Sequence, residues 1–366
     1  MDVLYEVALS RLKGMGGATA RQLIGRHQSA EAFFSLGPAA VRKLYPRLDF
    51  PSTNASLKRF MEQTQRFINQ QQVNDVEVVT WKHHLYPARL KHIPDAPLVL
   101  FCKGNTYPRH DKVISVVGTR RASGYGIDRV KELIKALQPW NPVIISGLAY
   151  GIDGQAHKSA LANNLPTLAI MANGMDKVYP SAHRSLATEI AGSGGLVTEY
   201  PLGTNPEIYQ FPERNRIIAG LSDLTVVVEA REKGGALITA DLANDYNREV
   251  AAIPGDVTRQ ASQGCHKIIK QHKAHLITDG EDIVQLLNWE KPTKTVHNKQ
   301  LAFFPDLNNK AMQILTLLQR ECTGMPVDHI CVETCLSVSE VTRELLQMEL
   351  AGVVRQLPGN VYRSSV

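Results

Sequence analysis

Five basic side chains in this sequence stand where an anion would be held: Arg120, Lys177, Arg184, Arg214 and Arg216. Arg120 follows Gly118-Thr119, directly after the β-branched run 113–117. Ser146-Gly147-Leu148 closes a second such run at 143–145, and Lys177, Tyr179-Pro180 and Arg184 follow a third that ends at Met171. A glycine turn of this kind leads from a strand into a helix whose first N–H groups lack intrahelical partners, an arrangement that suits phosphate. Arginine adds a planar fork of charge-assisted donors. An enclosed dinucleotide would need a second glycine where Arg120 stands, so that the backbone could approach the pyrophosphate; the arginine suits an external phosphodiester better. Arg214 and Arg216 are expected to begin a helix and turn toward the same groove. Each cation taken singly also reads as a solvated or salt-bridged surface group, and their repetition at strand ends is what favours a phosphate channel. Base stacking, at roughly 1–3 kcal/mol per base, requires an exposed ring. Tyr179 and Phe211 are the candidates; either could equally plug the core beneath the groove, and for Phe211, followed by proline, the core is favoured. Asp153 and His157 have the spacing of an acid/base pair, but Asp153 is expected to serve as a helix amino-terminal residue, with His157 hydrogen-bonded one turn on.

The elements that position these groups are legible from pattern. Runs such as 113–117 and 143–145 are too short for helices and fit buried parallel strands, whose carboxyl ends form the ligand-binding edge of an open sheet. Gly118-Thr119-Arg120 and Ser146-Gly147-Leu148 are therefore expected to face one crevice. Further strands are expected at 76–81, 98–102, 167–171, 196–198, 224–229, 250–253 and 275–278, with helices at 184–191, 214–221, 236–246 and 265–272. This alternation predicts an α/β fold with a doubly wound, Rossmann-like sheet over 73–288. Residues 1–72 read as helices, and 12–20, LKGMGGATA, fits a helix-hairpin-helix turn that offers free N–H groups, with Lys13 and Arg21 adding charge. A packing or protein-contact module is an equal reading of that segment. Residues 289–305 read as a linker. Residues 306–366 read as three helices (309–318, near 327–331, and 339–350) and a hairpin, which describes a winged helix. Its third helix carries Glu340, Glu344 and Glu349 against Arg343, so protein contact or packing is favoured there over DNA reading.

Composition bounds the rest. A 366-residue chain suits two or three domains, and a net charge of +6 weakly favours a polyanion partner. The five cysteines, Cys102, Cys265, Cys322, Cys331 and Cys335, include no C-x-x-C pair and read as free thiols of a reducing cytoplasm. Cys331 and Cys335 are expected in the core rather than on a metal. No signal peptide or membrane span is expected, and no Walker, His-Glu-x-x-His or nucleophile-elbow sequence occurs.

With Gly118-Thr119-Arg120, residues 146–153 (SGLAYGID) followed by Ala156-His157, Tyr179-Pro180, residues 211–218 (FPERNRII) and Ile253-Pro254-Gly255 in this order, the chain resembles the DNA-processing protein A family, also called Smf, over nearly its whole length. The resemblance implies a helical, SAM-like amino-terminal domain, an extended Rossmann-like domain and a winged-helix tail. It also implies a non-enzymatic, cytoplasmic protein without cofactor that binds single-stranded DNA, protects it, and helps load the RecA recombinase during natural transformation, commonly as a homodimer. Gly118, Arg120, Ser146, Gly147, Lys177, Tyr179, Arg184, Arg214, Arg216 and Thr239 are the implied DNA contacts. Two departures matter. Gly234-Gly235-Ala236 stands where Ser-Gly-Ser is frequent, leaving backbone donors and Thr239, and His183 stands where asparagine is frequent.

Two other classes compete. A nucleoside-monophosphate hydrolase of similar fold would need a glutamate at a helix start, and the only acid between 236 and 244 is Asp241. A protein-binding scaffold would leave poly-dT affinity low and indifferent to salt.

Overall fold

A computed structural model describes residues 2–104, 111–290, 308–320, 325–334, 336–351, 353–357 and 361–364. Residues 1–292 make one compact unit and 293–366 a second. The chain opens with helices α1 (Asp2–Ser10), α2 (Gly17–His27), α3 (Ala30–Ser35), α4 (Gly37–Leu44) and α5 (Asn54–Val73). Polar side chains set their starts: Ser29 Oγ accepts from Ala32 N at 2.9 Å, and Thr53 and Ser56 cap each other's backbone at the head of α5. Val7, Phe33, Phe34, Val41 and Ile68 form the inner face of this group. They share one core with Val78, Phe101 and Leu196 of the sheet, so the helices expected over 1–72 close against the strands.

The sheet and its helices follow as β1 (Glu77–Thr80), α6 (Ala88–Lys91), β2 (Val99–Gly104), β3 (Val113–Val117), α7 (Gly124–Leu137), β4 (Val143–Ser146), α8 (Ile152–Ala162), β5 (Thr167–Met171), α9 (Arg184–Ser193), β6 (Gly195–Thr198), α10 (Gln210–Leu221), β7 (Leu224–Val227), α11 (Gly235–Asp245), β8 (Glu249–Ala252), α12 (Gln263–Lys270), β9 (His275–Leu276) and α13 (Gly280–Leu286). Nine strands run in the order β1-β2-β6-β5-β4-β3-β7-β8-β9. The seven from β6 to β9 are parallel, and β1 and β2 add an antiparallel extension beside β6. Every residue of β3, β4 and β5 is buried, as β-branched strands covered on both faces should be. The chain leaves β3 toward β4, β5 and β6 on one side and returns on its other side as β7. Ligands of open sheets bind at the carboxyl ends of such a switch point. Helix α10 starts at Gln210, one turn before the expected start at 214, because Pro212 sits in the first turn, where proline costs no hydrogen bond. Strand β7 ends at Val227, two residues short of the expected 229.

The second unit contains α14 (Asn309–Arg320), β10 (Met325–Pro326), α15 (Val327–Thr334), α16 (Val338–Leu350), β11 (Val354–Leu357) and β12 (Val361–Ser364), with strand order β10-β12-β11. It is the expected winged helix. Glu340 caps α16 through Ser337 and pairs with Lys310, and buried Glu344 accepts from Arg343 and Asn308. Most of the expected linker lies outside the described residues, as do Cys322 and Cys335; Cys102 and Cys265 are buried free thiols, and Cys331 is partly buried. Among the described residues no helix is long and apolar enough to cross a membrane, and no group of three His, Cys, Asp or Glu could hold a metal ion.

Candidate nucleic-acid interface

At the switch point the loops after β3 and β7 and the first turns of α10 and α11 enclose an open cavity of about 340 Å³. Gly118, Arg120 and Thr239 line it, together with Arg231, Lys233 and Phe211. The loop carrying Arg120 is pinned at several points. Thr119 N donates to Glu229 O at 2.7 Å, and Ile152 N donates to Thr119 O at 3.2 Å. The buried Glu229 carboxylate accepts from Ser123 N at 2.9 Å and from Ser123 Oγ at 2.5 Å. Arg120 itself projects outward, exposed, with its guanidinium 5.5 Å from the Phe211 ring centre. Phe211 in turn lies 5.4 Å from Tyr179, which is 46% exposed. Cation, ring and ring thus form a row along the rim. Phe211, favoured for the core, is partly buried in the first turn of α10 and lines the cavity. Across the cavity α11 begins at Gly235 behind a glycine N-cap, without any side chain capping it, so its first N–H groups remain open to an anion.

Not every expected contact reaches this crevice. Ser146 Oγ is buried and donates to Val116 O at 2.7 Å. Gly147 is filled from behind: a Cβ there would lie 2.4 Å from the Arg214 guanidinium. Leu148 is buried too, so the Ser146-Gly147-Leu148 turn closes beneath the surface, and the β4 side reaches the crevice through Ala149 and Asp153, beside the β3 and β7 loops. Arg214, expected at a helix start facing the groove, lines the inner wall of the cavity but is only 5% exposed, its fork turned into the protein. Its Nη1 donates to Gly147 O at 2.6 Å and also to Ile170 O, and burial pulls its guanidinium down to about 10, with Asp153 working in the opposite direction. The earlier helix start places Arg214 one turn in, on the face against the sheet. Arg216 turns the other way, to an ion pair with Glu199 and to the Asp95 carbonyl. Lys177 and Arg184 lie in the β5–α9 connection with Tyr179, outside the cavity lining. Lys177 Nζ donates to Gly203 O at 2.8 Å and to Asn205 Oδ1 at 2.6 Å, while Arg184 is exposed at the head of α9.

Asp153 and His157 point to separate partners. Asp153 accepts from Gly147 N at 3.2 Å, and burial raises its carboxyl above the usual range against the pull of Arg214. His157 bonds Thr167 Oγ1 at 2.7 Å and is fully buried. His183 takes part in the scaffold through Nδ1, which donates to Leu148 O at 2.9 Å. Asp241, the acid weighed for glycosidic-bond chemistry, pairs with Lys273 on the surface. Sequence reasoning missed Arg231 and Lys233. The signal was available, since both stand between the end of β7 and the glycines that open α11.

Gly151 holds the Arg120 loop in place. Its φ is +75°, and a Cβ there would meet Thr119 O at 2.2 Å. Gly151→Ala is expected to cost about 3 kcal/mol through strain and clash together, measured by urea denaturation, because the obstructing atoms are backbone.

The family model for DNA recombination-mediator protein A matches residues 77–288, and that for the DprA winged helix domain matches 305–360. Protein Smf of Escherichia coli is 36% identical over 318 residues, covering 83% of this chain and 84% of its own. Protein Smf of Synechocystis is 31% identical, with 98% of each chain covered. The solved structure of DNA processing protein A from Streptococcus pneumoniae superposes with a TM-score of 0.63 at 31% identity, over 78% of this chain and 97% of that one. The Helicobacter pylori structure, described by its single-stranded DNA binding mode, gives 0.53 at 26% identity, over 58% and 96%. The order of motifs, the nine-stranded sheet with its switch-point crevice, the winged-helix tail and these matches agree: the chain belongs to the DNA-processing protein A family, also called Smf.

Proposed function

We propose that this protein binds single-stranded DNA along the carboxyl edge of its central sheet. The observation that carries the reading is the convergence of three exposed cations, Arg120, Arg231 and Lys233, on one cavity that also has an uncapped helix amino terminus and, at its rim, the row of Arg120, the partly buried Phe211 and the exposed Tyr179. Cations and open N–H groups grip the phosphates without regard to sequence, and Tyr179 and Phe211 offer faces to any base. Arg184, and Lys177 from its tether on the 203–205 loop, extend the positive rim beyond Tyr179. Gly118 and Thr239 shape the cavity, whereas Ser146, Gly147 and Arg214 act from beneath as its floor. The single-stranded DNA named for the Helicobacter pylori relative supports the same partner here.

The test is poly-dT affinity across salt. Each phosphate contact contributes about 0.7 to the slope of log affinity against log salt, so Arg120→Ala combined with Lys233→Ala should flatten the slope by about 1.4. Lower affinity with an unchanged slope would remove these residues from the phosphate path. Protection of incoming DNA, loading of RecA and homodimerisation are proposed from family membership. RecA filament nucleation on dT oligonucleotides, with and without the protein, tests the loading step.

A further inference from the structure

We propose that a basic groove on the amino-terminal helices, formed by Arg11, Lys13 and Arg42, is a second contact for the phosphodiester backbone of the same strand. The inference rests on the sheet-edge reading and adds a separate surface to it. Residues 1–73 carry ten lysines and arginines against five acids, while the whole chain carries 41 against 35. Nearly all the net positive charge therefore resides in the first fifth of the protein. Three of those cations meet in one open groove of about 540 Å³, with Ser52 and Ser56 at the head of α5 and Asp49 as the acid among its lining residues. Lys13 stands exposed in the turn between α1 and α2, beside Gly14 at φ +77°, and Arg42 is exposed in the last turn of α4. Arg11 is held in position by the Phe67 ring, 4.3 Å below its guanidinium. Among the described residues none of the three has an ion-pair partner.

The chemistry selects a phosphate chain over a base or a small ligand. The rings that line the groove, Phe50 and Phe60, are buried or partly buried, which leaves cations and hydroxyls facing out. The groove is shallow, as a polymer passing across it requires. The end of the glycine turn nearby, at Gly17, serves packing. A Cβ on Gly17 would lie 2.4 Å from Ala96 O, and Arg21 spends its guanidinium on the carbonyls of Pro94 and Ala96. Phosphate contact on this segment is assigned to the side chains of the groove, since Arg21 and Gly17 are committed to packing.

The experiment compares wild type, Lys13→Gln/Arg42→Gln, Lys13→Arg/Arg42→Lys and Arg120→Ala in the full chain on dT oligonucleotides of about 6 to about 40 nucleotides, a range that brackets the site sizes of single-strand binders. The glutamine pair should match wild type on the shortest oligonucleotides. On the longest it should bind roughly tenfold more weakly, with a salt slope about 1.4 shallower, and the charge-conserving pair should restore both. Arg120→Ala should weaken binding at every length. If the glutamine pair binds all lengths as wild type does, the groove serves another partner, such as an acidic peptide, and the proposal falls while the sheet edge stands. An equal loss at all lengths also overturns it. Absence of oligonucleotide binding by wild type would overturn both.

Discussion

Arg214→Met should destabilise the protein by about 3–5 kcal/mol and lower its melting temperature by roughly 10 °C, a loss that thermal or urea unfolding would measure directly. The side chain is almost fully enclosed, and its fork satisfies the carbonyls of Gly147 and Ile170 beside the buried carboxyl of Asp153. Methionine fills similar space but leaves two carbonyls unsatisfied and Asp153 without its cation, and removing one partner of a buried charge cluster costs more than the cluster contributes. Lysine is no substitute, since a point charge cannot reach both carbonyls as a planar fork does. The same variant discriminates between two roles for this arginine. Were Arg214 a free phosphate contact, the substitution would leave the melting temperature alone and flatten the DNA salt slope by about 0.7.

His157 should make folding stability sensitive to mild acid. Its imidazole is pushed from 6.5 down to about 3, by burial first and by His183 and Arg214 next. Thr167 Oγ1 donates to Ile144 O at 2.7 Å, so in the His157–Thr167 bond the imidazole Nδ1 carries the proton and the ring sits in its neutral form. Above pH 6.5 folded and unfolded chains are alike at this site and it contributes nothing to the pH dependence. Below 6.5 the unfolded chain takes up a proton that the folded chain refuses. Stability therefore falls as pH drops, by about 3 kcal/mol near about pH 4.5 and on the order of 5 kcal/mol near about pH 3, where the folded ring also titrates. Asp153 opposes this over part of the range, because a carboxyl raised in the fold binds its proton earlier there than in the unfolded chain. Subtracting the profile of His157→Gln, which keeps an amide donor but cannot titrate, isolates the histidine. A wild-type minus variant difference that stays flat between about pH 7 and about pH 4 would contradict the assignment.

These two residues show where sequence reading reaches and where it stops. The strands were legible because β-branched runs of four or five residues bounded by glycine have few alternatives, and the loops that follow them were legible for the same reason. Arg120 was correctly placed in the crevice, since a residue directly after a buried strand end has little freedom to leave that edge. Arg214 and Arg216 were placed less well because direction on a helix depends on phase. The expected helix began at Arg214, and moving the start back to Gln210 makes both residues interior to α10. One then faces the sheet and the other turns toward Glu199. The same shift brings Phe211, favoured for the core, into the first turn of α10, where it is partly buried. Charge distribution in the first 73 residues was readable from composition, but the meeting of Arg11, Lys13 and Arg42 depends on how three helices pack, which periodicity does not encode.

The margins of the sheet constrain how copies of this protein could associate. β9 is two exposed residues long, and the opposite border, β1, is four residues long and overlaid by α1 and α5. Among the described residues, the borders of this nine-stranded sheet therefore offer a neighbouring chain no extended, uncovered template onto which to hydrogen-bond a strand of its own. Self-association through this sheet is then left to side chains on helix and loop surfaces, where surface substitutions can tune it and leave the backbone ladder untouched.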